Sequence, residues 1–204
     1  MLPPATDNPA PVGIHYVLRM AEAAVRTAVP DDVAELARIQ VSTWQTGFAD
    51  LLPPDVLAGL DADAAAEQWA HVIEQGPATV HVATEGPWVV GFCVAGPSPE
   101  SESAAANDVP VPDAQTVALV GTLLVEPRWG RRGHAGRLLA AAGAAAAAAG
   151  STRGICWVPE RNNSLVGFFR RAGWAPDGVV RTLDAGGQPL REVRVTGPLT
   201  LDLI

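Results

Sequence analysis

The sequence predicts an α+β domain built on a mixed, mostly antiparallel central sheet flanked by helices. Three observations carry this expectation. The 204 residues, 48% hydrophobic and 18% charged, are enough for one domain with a sizeable core. The apolar spacing alternates between helical and strand periods, in the order strand, two helices, three strands, helix, strand, helix, two strands. A continuous apolar strand, Gln115 to Val125, leads through a Gly/Arg loop into an Ala-rich helix.

Each element follows from local chemistry. Residues 1–20, rich in Pro and Ala without a clean period, read as a flexible N-terminal tail, which leaves 21–204 as the single folded domain. Ala23 to Ala28 alternates as a first strand. Asp31 and Asp32 follow Pro30 and suit a helix start, where carboxylates meet the positive end of the dipole. Val33, Leu36, Ala37, Gln40, Val41 and Trp44 continue at helical spacing until Leu51-Leu52-Pro53-Pro54 breaks the run. A second helix is expected from Asp61 to Gln75, with Ala65, Trp69, Val72 and Ile73 on one face. Thr79 to Thr84 and Trp88 to Ala95 read as an antiparallel pair turning at Glu85-Gly86-Pro87. The polar, Pro-containing segment 97–114 reads as a flexible, solvated insertion.

After the Gln115–Val125 strand, Arg128 to Gly136 is expected as a loop and Arg137 to Ala149 as a helix. Gly154 to Val158 reads as a buried strand. Asn163 or Ser164 suits the cap of a short helix that ends at Ala172-Gly173. Val179 to Leu183 and Leu190 to Val195 read as a hairpin across Ala185-Gly186-Gly187-Gln188-Pro189.

Composition excludes several classes. Two cysteines, Cys93 and Cys156, do not make a disulfide scaffold or a cysteine-rich zinc module, and no metal site is expected. The Ala-rich stretch from Leu138 to Gly150 is too short to span a bilayer, so no membrane partner is expected. The opening residues lack the basic start and apolar run of a signal peptide, so a cytoplasmic location is the expectation. All 14 basic side chains are arginine. Eight lie between Arg128 and Arg171 against one acid, Glu160; the remaining six face 21 acids. An acidic chain with one basic segment is poorly suited to wrap nucleic acid and better suited to one small polyanion.

The basic segment contains the chemistry. Gly133 and Gly136, with Ala135 between them, let the backbone approach a ligand closely. The loop opens a helix amino terminus, whose free N–H groups and dipole form an anion site. Arg131 and Arg132 add fork-shaped donors suited to phosphate. The Gly-Lys-Ser/Thr of a Walker loop is absent, and the glycine spacing does not match a dinucleotide fingerprint.

Val125-x-Pro127, five residues, Gly133-x-Ala135 and then Leu138-Leu139 resembles motif A of the GNAT superfamily of N-acyltransferases. Asn162 followed by Phe168-Phe169-Arg170-Arg171-Ala172-Gly173-Trp174 is similar to that family's Asn…Phe-Tyr-Glu-Arg-x-Gly-Phe signature. Val25-Arg26-Thr27-Ala28 with Asp31-Asp32, and Val89-Val90-Gly91-Phe92, resemble its first strand and helix and its second and third strands. The resemblance spans about residues 23 to 196. It implies a sheet with splayed strands at the cofactor site and acetyl-CoA as cosubstrate. It further implies pantetheine along Leu123, Leu124 and Val125, with pyrophosphate on the amides of Arg131, Arg132, Gly133, His134, Ala135 and Gly136. The Val125 region is implied to supply a backbone oxyanion donor. Asn162 is implied to bond the cofactor arm and Phe169 to pack beside it. The family transfers directly, without a covalent intermediate, and a homodimer is compatible with it.

The sequence departs from the pattern at several places. Gly130 stands where the family's loop usually has Gln or Arg. Phe169 stands where a tyrosine often protonates the leaving thiolate, and phenylalanine has no proton to give. Leu119 stands where some relatives place a glutamate. Glu126 is expected to face solvent at the strand end. His81, on a strand, is the candidate general base, weighed against an ordinary half-exposed strand residue. His134 is expected to be structural or cofactor-adjacent, and Cys156 to be core. The acceptor, a small-molecule or peptide amine, is expected between the first two helices and the late hairpin, near Trp44, Gln45, Phe48 and Trp69, although Trp44 and Trp69 at helical spacing are more often core than substrate cage. The expected function is an acetyl-CoA-dependent N-acetyltransferase acting on a primary amine by direct attack. The alternatives are a non-catalytic acyl-CoA-binding module and an interaction domain that has lost the cofactor.

Overall fold

The computed structural model of the protein describes residues 22–106 and 109–201. The tail expected over 1–20 lies outside them. The strands β1 (Ala23–Thr27), β2 (Thr79–Glu85), β3 (Trp88–Pro97), β4 (Val117–Val125), β5 (Arg153–Pro159), β6 (Ala175–Asp184) and β7 (Pro189–Gly197) form one sheet, ordered β1-β2-β3-β4-β5-β7-β6. Every neighbouring pair is antiparallel except β4–β5. That pair is joined by the crossover helix α5 (His134–Ala148), because parallel neighbours need a long connection.

The sheet has a core on each face. Leu36 and Ile39 of α1 (Val33–Gly47) and Trp69 of α3 (Ala62–Gln75) pack on Val80, Val82, Phe92 and Leu124. Leu138, Leu139 and Ala142 of α5 pack with Phe169 of α6 (Asn163–Arg171) on Val90, Cys93, Cys156, Val158 and Val195. A short helix that the sequence did not signal, α2 (Pro54–Ala58), follows α1 and starts on the second residue of the double proline. Asp32 holds the start of α1. It accepts from the Val29 N–H at 2.8 Å and takes both arms of Arg26, at 2.6 and 2.8 Å. These hydrogen bonds, Arg26 first, hold its carboxyl below the usual range despite burial.

The insertion at 97–114 differs from the solvated loop expected of it. It forms a short helix, α4 (Glu100–Ser103), and buries Ser103, Ala104 and Ala114. Its carbonyls at Glu102 and Ala104 accept from the buried Arg194 guanidinium at 2.8 and 2.6 Å. Polar composition misled here because the partners are equally polar, and sit on β5, β6 and β7.

Gly173 (φ +79°) stops α6 in a left-handed cap. The Trp174 N–H returns to Phe169 O at 2.9 Å and the Gly173 N–H to Arg170 O at 3.1 Å, the two bonds of a Schellman motif. The accompanying apolar contact is Phe169 against Trp174, with ring centroids 5.2 Å apart. The Trp174 indole then lies on Gly154 and Gly197, which face each other across β5 and β7. A Cβ on Gly154 meets Trp174 Cζ2 at 2.8 Å, inside any ordinary contact. Gly154→Ala is therefore expected to destabilise the fold by about 1–3 kcal/mol, read as a lower urea midpoint at unchanged slope.

Candidate active site

The site begins where β4 and β5 separate. Their pairing runs only from Val117–Arg153 to Val120–Cys156. Beyond it β4 stays with β3 as far as Val125–Gly91, while β5 stays with β7 as far as Pro159–Glu192. The divergence coincides with a bulge. Val94 pairs with Thr122 and Ala95 with Val120, so Gly121 is the extra residue, and bulges bend the strand that carries them.

The hydrogen-bond phase of β4 follows from its far end. The Glu126 N–H donates to Val90 O at 3.0 Å. Alternation in an antiparallel pair then directs Leu124 toward β3, and the N–H and C=O of Leu123 and Val125 toward the gap. The gap opens into a cavity of about 220 Å³. Gly121, Thr122, Leu123 and Leu124 line one wall and Cys156, Trp157 and Pro159 the other; Leu165 and Phe169 come from α6. Trp44, Phe48 and Leu52 close it from α1 and the turn after it, and Leu183, Leu190 and Glu192 from the hairpin of β6 and β7.

The Gly/Arg loop ends earlier than the sequence suggested. Helix α5 starts at His134, not Arg137, because Gly133 (φ +81°) is its N-cap and supplies no side chain to satisfy the first turn. Its first helical bond runs from the Arg137 N–H to Gly133 O at 3.1 Å. The amides of His134, Ala135 and Gly136 are thus the donors without a partner inside the helix. Arg131 (φ +60°) shapes the loop before it. Arg137 Nη1 closes the loop onto Arg132 O at 3.0 Å.

Two loop side chains are committed elsewhere. The Arg132 guanidinium lies over the Trp129 ring at 4.8 Å and pairs with Glu85 at 2.8 Å. The His134 imidazole is buried, its Nε2 2.9 Å from the other oxygen of Glu85. His134 therefore offers the loop its backbone, while its side chain ties α5 to β2.

Asn162, rather than Asn163 or Ser164, caps α6: its Oδ1 accepts from the Leu165 N–H at 3.1 Å. This leaves its Nδ2 as the group with hydrogens to give. Phe169 is fully buried against Phe168 and Trp174 and lines the cavity.

The structure does not bring His81 to this cavity. His81, on β2, pairs with Cys93 of β3, and both face α5. It lines a separate depression with Pro77, Ala142 and Ala146, on the other face of the sheet from Trp44 and Phe48. Its Nδ1 has no partner among the described residues, and burial pushes its pKa down. A period-2 strand pattern shows that a residue is on a face but not which helix covers that face.

Glu126 is a second correction. It is buried, with Arg38 at 2.9 Å and Arg128 at 3.0 Å, and so ties α1 to the end of β4. Burial pushes its carboxyl up, but the two guanidinium groups outweigh that and leave it lowered. Cys156 lines the cavity, yet burial, with Cys93 and Glu192 nearby, raises its thiol far above ordinary values, so it is no nucleophile.

Of the four side chains expected at the acceptor end, Trp44 and Phe48 line the cavity. Trp69 is core, its Nε1 donating to Gln40 Oε1 at 2.7 Å, and Gln45 reaches Leu57 O. Sequence reasoning missed Glu192. Alternation along β7 puts it with Leu190 and Arg194, but only the fold shows that Glu192 and Leu190 reach the cleft.

A mixed sheet that splays beside an uncapped helix amino terminus places an open strand edge and an anion-binding helix end in one cleft. Comparison with known proteins gives the class. The acetyltransferase (GNAT) family matches residues 35–174. A protein of Bacillus subtilis (strain 168), named as the uncharacterized N-acetyltransferase YuaI, is 28% identical over 177 residues, covering 85% of this chain and 92% of that one. Two solved structures share the fold. PaiA N-acetyltransferase from Thermoplasma acidophilum, in complex with coenzyme A, has a TM-score of 0.65 at 12% identity, covering 87% of this chain and 99% of that one. YncA from Salmonella typhimurium, with its cofactor acetyl-CoA, has a TM-score of 0.63 at 15% identity, covering 87% and 94%. The chain belongs to the GNAT family of acetyltransferases, which are acetyl-CoA-dependent acyltransferases.

The position of His81 yields a test. His81→Gln is expected to leave turnover within about threefold of wild type, since the ring lies outside the cleft. Because burial lowers the imidazole's pKa, the unfolded state takes the proton first as pH falls. Wild-type melting temperature should therefore drop between about pH 7 and pH 5, and the variant should drop less over that window.

Proposed function

We propose that the protein transfers an acetyl group from acetyl-CoA to a primary amine by direct attack. The observation that carries this reading is the pairing of the β4–β5 gap with the uncapped start of α5 at one end of the sheet. The donor set fits the cosubstrate. Helix-end amides at His134, Ala135 and Gly136 suit a pyrophosphate. A strand edge with outward N–H and C=O groups at Leu123 and Val125 suits an amide-bearing pantetheine arm. Arg131 and Arg132 add positive charge, Arg132 once it exchanges Glu85 for phosphate. The Asn162 Nδ2 supplies a further donor to the arm, and Phe169 a flat apolar wall for it.

Acetyl-CoA brings the acetyl group as a thioester. In this reading the Val125 N–H is aimed where negative charge develops on the carbonyl oxygen, which makes it the oxyanion donor. The acceptor binds as an ammonium and loses one proton to water. Its lone pair then forms the C–N bond as the C–S bond breaks. The remaining surplus proton on nitrogen passes through water to the departing sulfur, since Phe169 has none to give. The products are an acetamide and CoA.

Saturating acetyl-CoA, at about a hundred times its dissociation constant, is expected to stabilise the protein by about 2.7 kcal/mol and raise its melting temperature by several degrees. Gly133→Asp puts a carboxylate at the phosphate end and should abolish both the shift and turnover. An unchanged shift in that variant would contradict the proposed cradle. Phe169→Tyr places a hydroxyl at the cavity wall and should raise turnover where protonation of sulfur is limiting, at unchanged acetyl-CoA affinity.

A further inference from the structure

The acceptor end of the cavity has an unusual composition. Trp44, Phe48, Leu52, Leu183 and Leu190 make it a hydrophobic box. The one ionisable carboxylate among its lining residues is Glu192. A carboxylate set in an apolar wall is costly to bury unless it is paired. Glu192 has one partner: its Oε2 accepts from Arg181 Nε at 2.7 Å. Its Oε1 has no hydrogen-bond partner among the described residues.

Arg181 is itself fixed. Its Nη1 donates to Glu102 Oε2 at 2.9 Å, and its guanidinium lies 4.4 Å over the Trp157 ring. Trp157 Nε1 donates to the same Glu102 oxygen at 2.6 Å. Glu102 comes from the insertion, on α4. The arrangement is a carboxylate–guanidinium–carboxylate row with a net charge of minus one. The neighbouring charges do not alter it, because Arg194 is paired with Asp177 at 2.8 Å. One guanidinium bridges the two carboxylates and balances the charge of only one of them.

Resting on the acetyltransferase reading, we infer that Glu192 Oε1 holds the acceptor's ammonium group and that the acceptor is a small primary amine on an apolar body, such as an arylalkylamine or alkylamine. The box covers the apolar body and the carboxylate fixes the nitrogen. A polyamine carries its second charge against Leu52, Leu183 and Leu190, which offer it no partner, and desolvation there disfavours it. A peptide backbone brings amides that Leu52, Leu183 and Leu190 leave without partners. Arg181 and Glu102 are positioning residues: they act on the acceptor only through Glu192.

The test is a steady-state comparison of phenethylamine, hexylamine, spermidine and a lysine-containing peptide with the full chain and acetyl-CoA. Phenethylamine and hexylamine are expected to have kcat/KM at least about tenfold above spermidine and the peptide. Glu192→Gln should raise the amine KM about tenfold or more and leave the acetyl-CoA KM unchanged, while Glu192→Asp should recover part of the loss. Phe48→Ala should weaken phenethylamine and not spermidine, and it tests the box without touching the ion row. Equal use of all four amines, or an unchanged amine KM in Glu192→Gln, would overturn the inference while leaving the transferase reading intact. Acetyl-CoA binding with no transfer to any of the four amines would overturn both the inference and the proposed reaction.

Discussion

Beyond Val120 the backbone of β4 has a strand on one side only. A buried N–H or C=O without a partner forfeits a hydrogen bond, so native chains almost always supply one. Here β5 does not, because it parts from β4 after Cys156 and follows β7 to Pro159. The single extra residue at Gly121 turns β4 away from it. Much of the rest of the site follows from this divergence. The cavity exists because the strands part, the outward groups of Leu123 and Val125 face it because of the strand's phase, and α5 must begin beside it because the crossover leaves from that end.

The elements around the gap are held by local devices that reinforce one another. Phe169 is placed by a helix stop, since the Schellman bonds that end α6 also press Trp174 against it. Trp174 in turn needs two glycines beneath it, one on each strand. At the other end Glu126 joins α1 to β4 through Arg38, which fixes the helix that carries Trp44 and Phe48. Packing and ion pairing here share one geometric task, which is to keep the two walls of the cleft at a set separation.

Most of the fold was legible from periodicity. The strands and the long helices announce themselves through apolar spacing and Gly, Pro or Asp at the ends, while the loop–helix junction falls three residues before its expected place. The loop chemistry was legible because Gly133, Ala135 and Gly136 stand beside a helix start. Three things were not. His81 was misplaced because alternation along β2 does not say which face meets α5 and which meets α1. Glu126 was taken as exposed because its partner Arg38 lies 88 residues away. Glu192 and the insertion's Glu102 went unnoticed because Arg181 joins them from 11 and 79 residues away, contacts that no local pattern encodes.

The ion pairs that hold the molecule together share one chemical feature. Arg26, Arg38, Arg132, Arg153, Arg181, Arg191 and Arg194 each meet a carboxylate, and nowhere in the sequence does a lysine take that part. A guanidinium stays protonated at any physiological pH and has no free lone pair to offer an acyl group. An enzyme that handles an activated acetyl group thus carries no side-chain amine of its own for that group to modify. Its electrostatic scaffold is inert to the reagent it uses, and the positive charges that hold the cleft in shape cannot be erased by stray acylation.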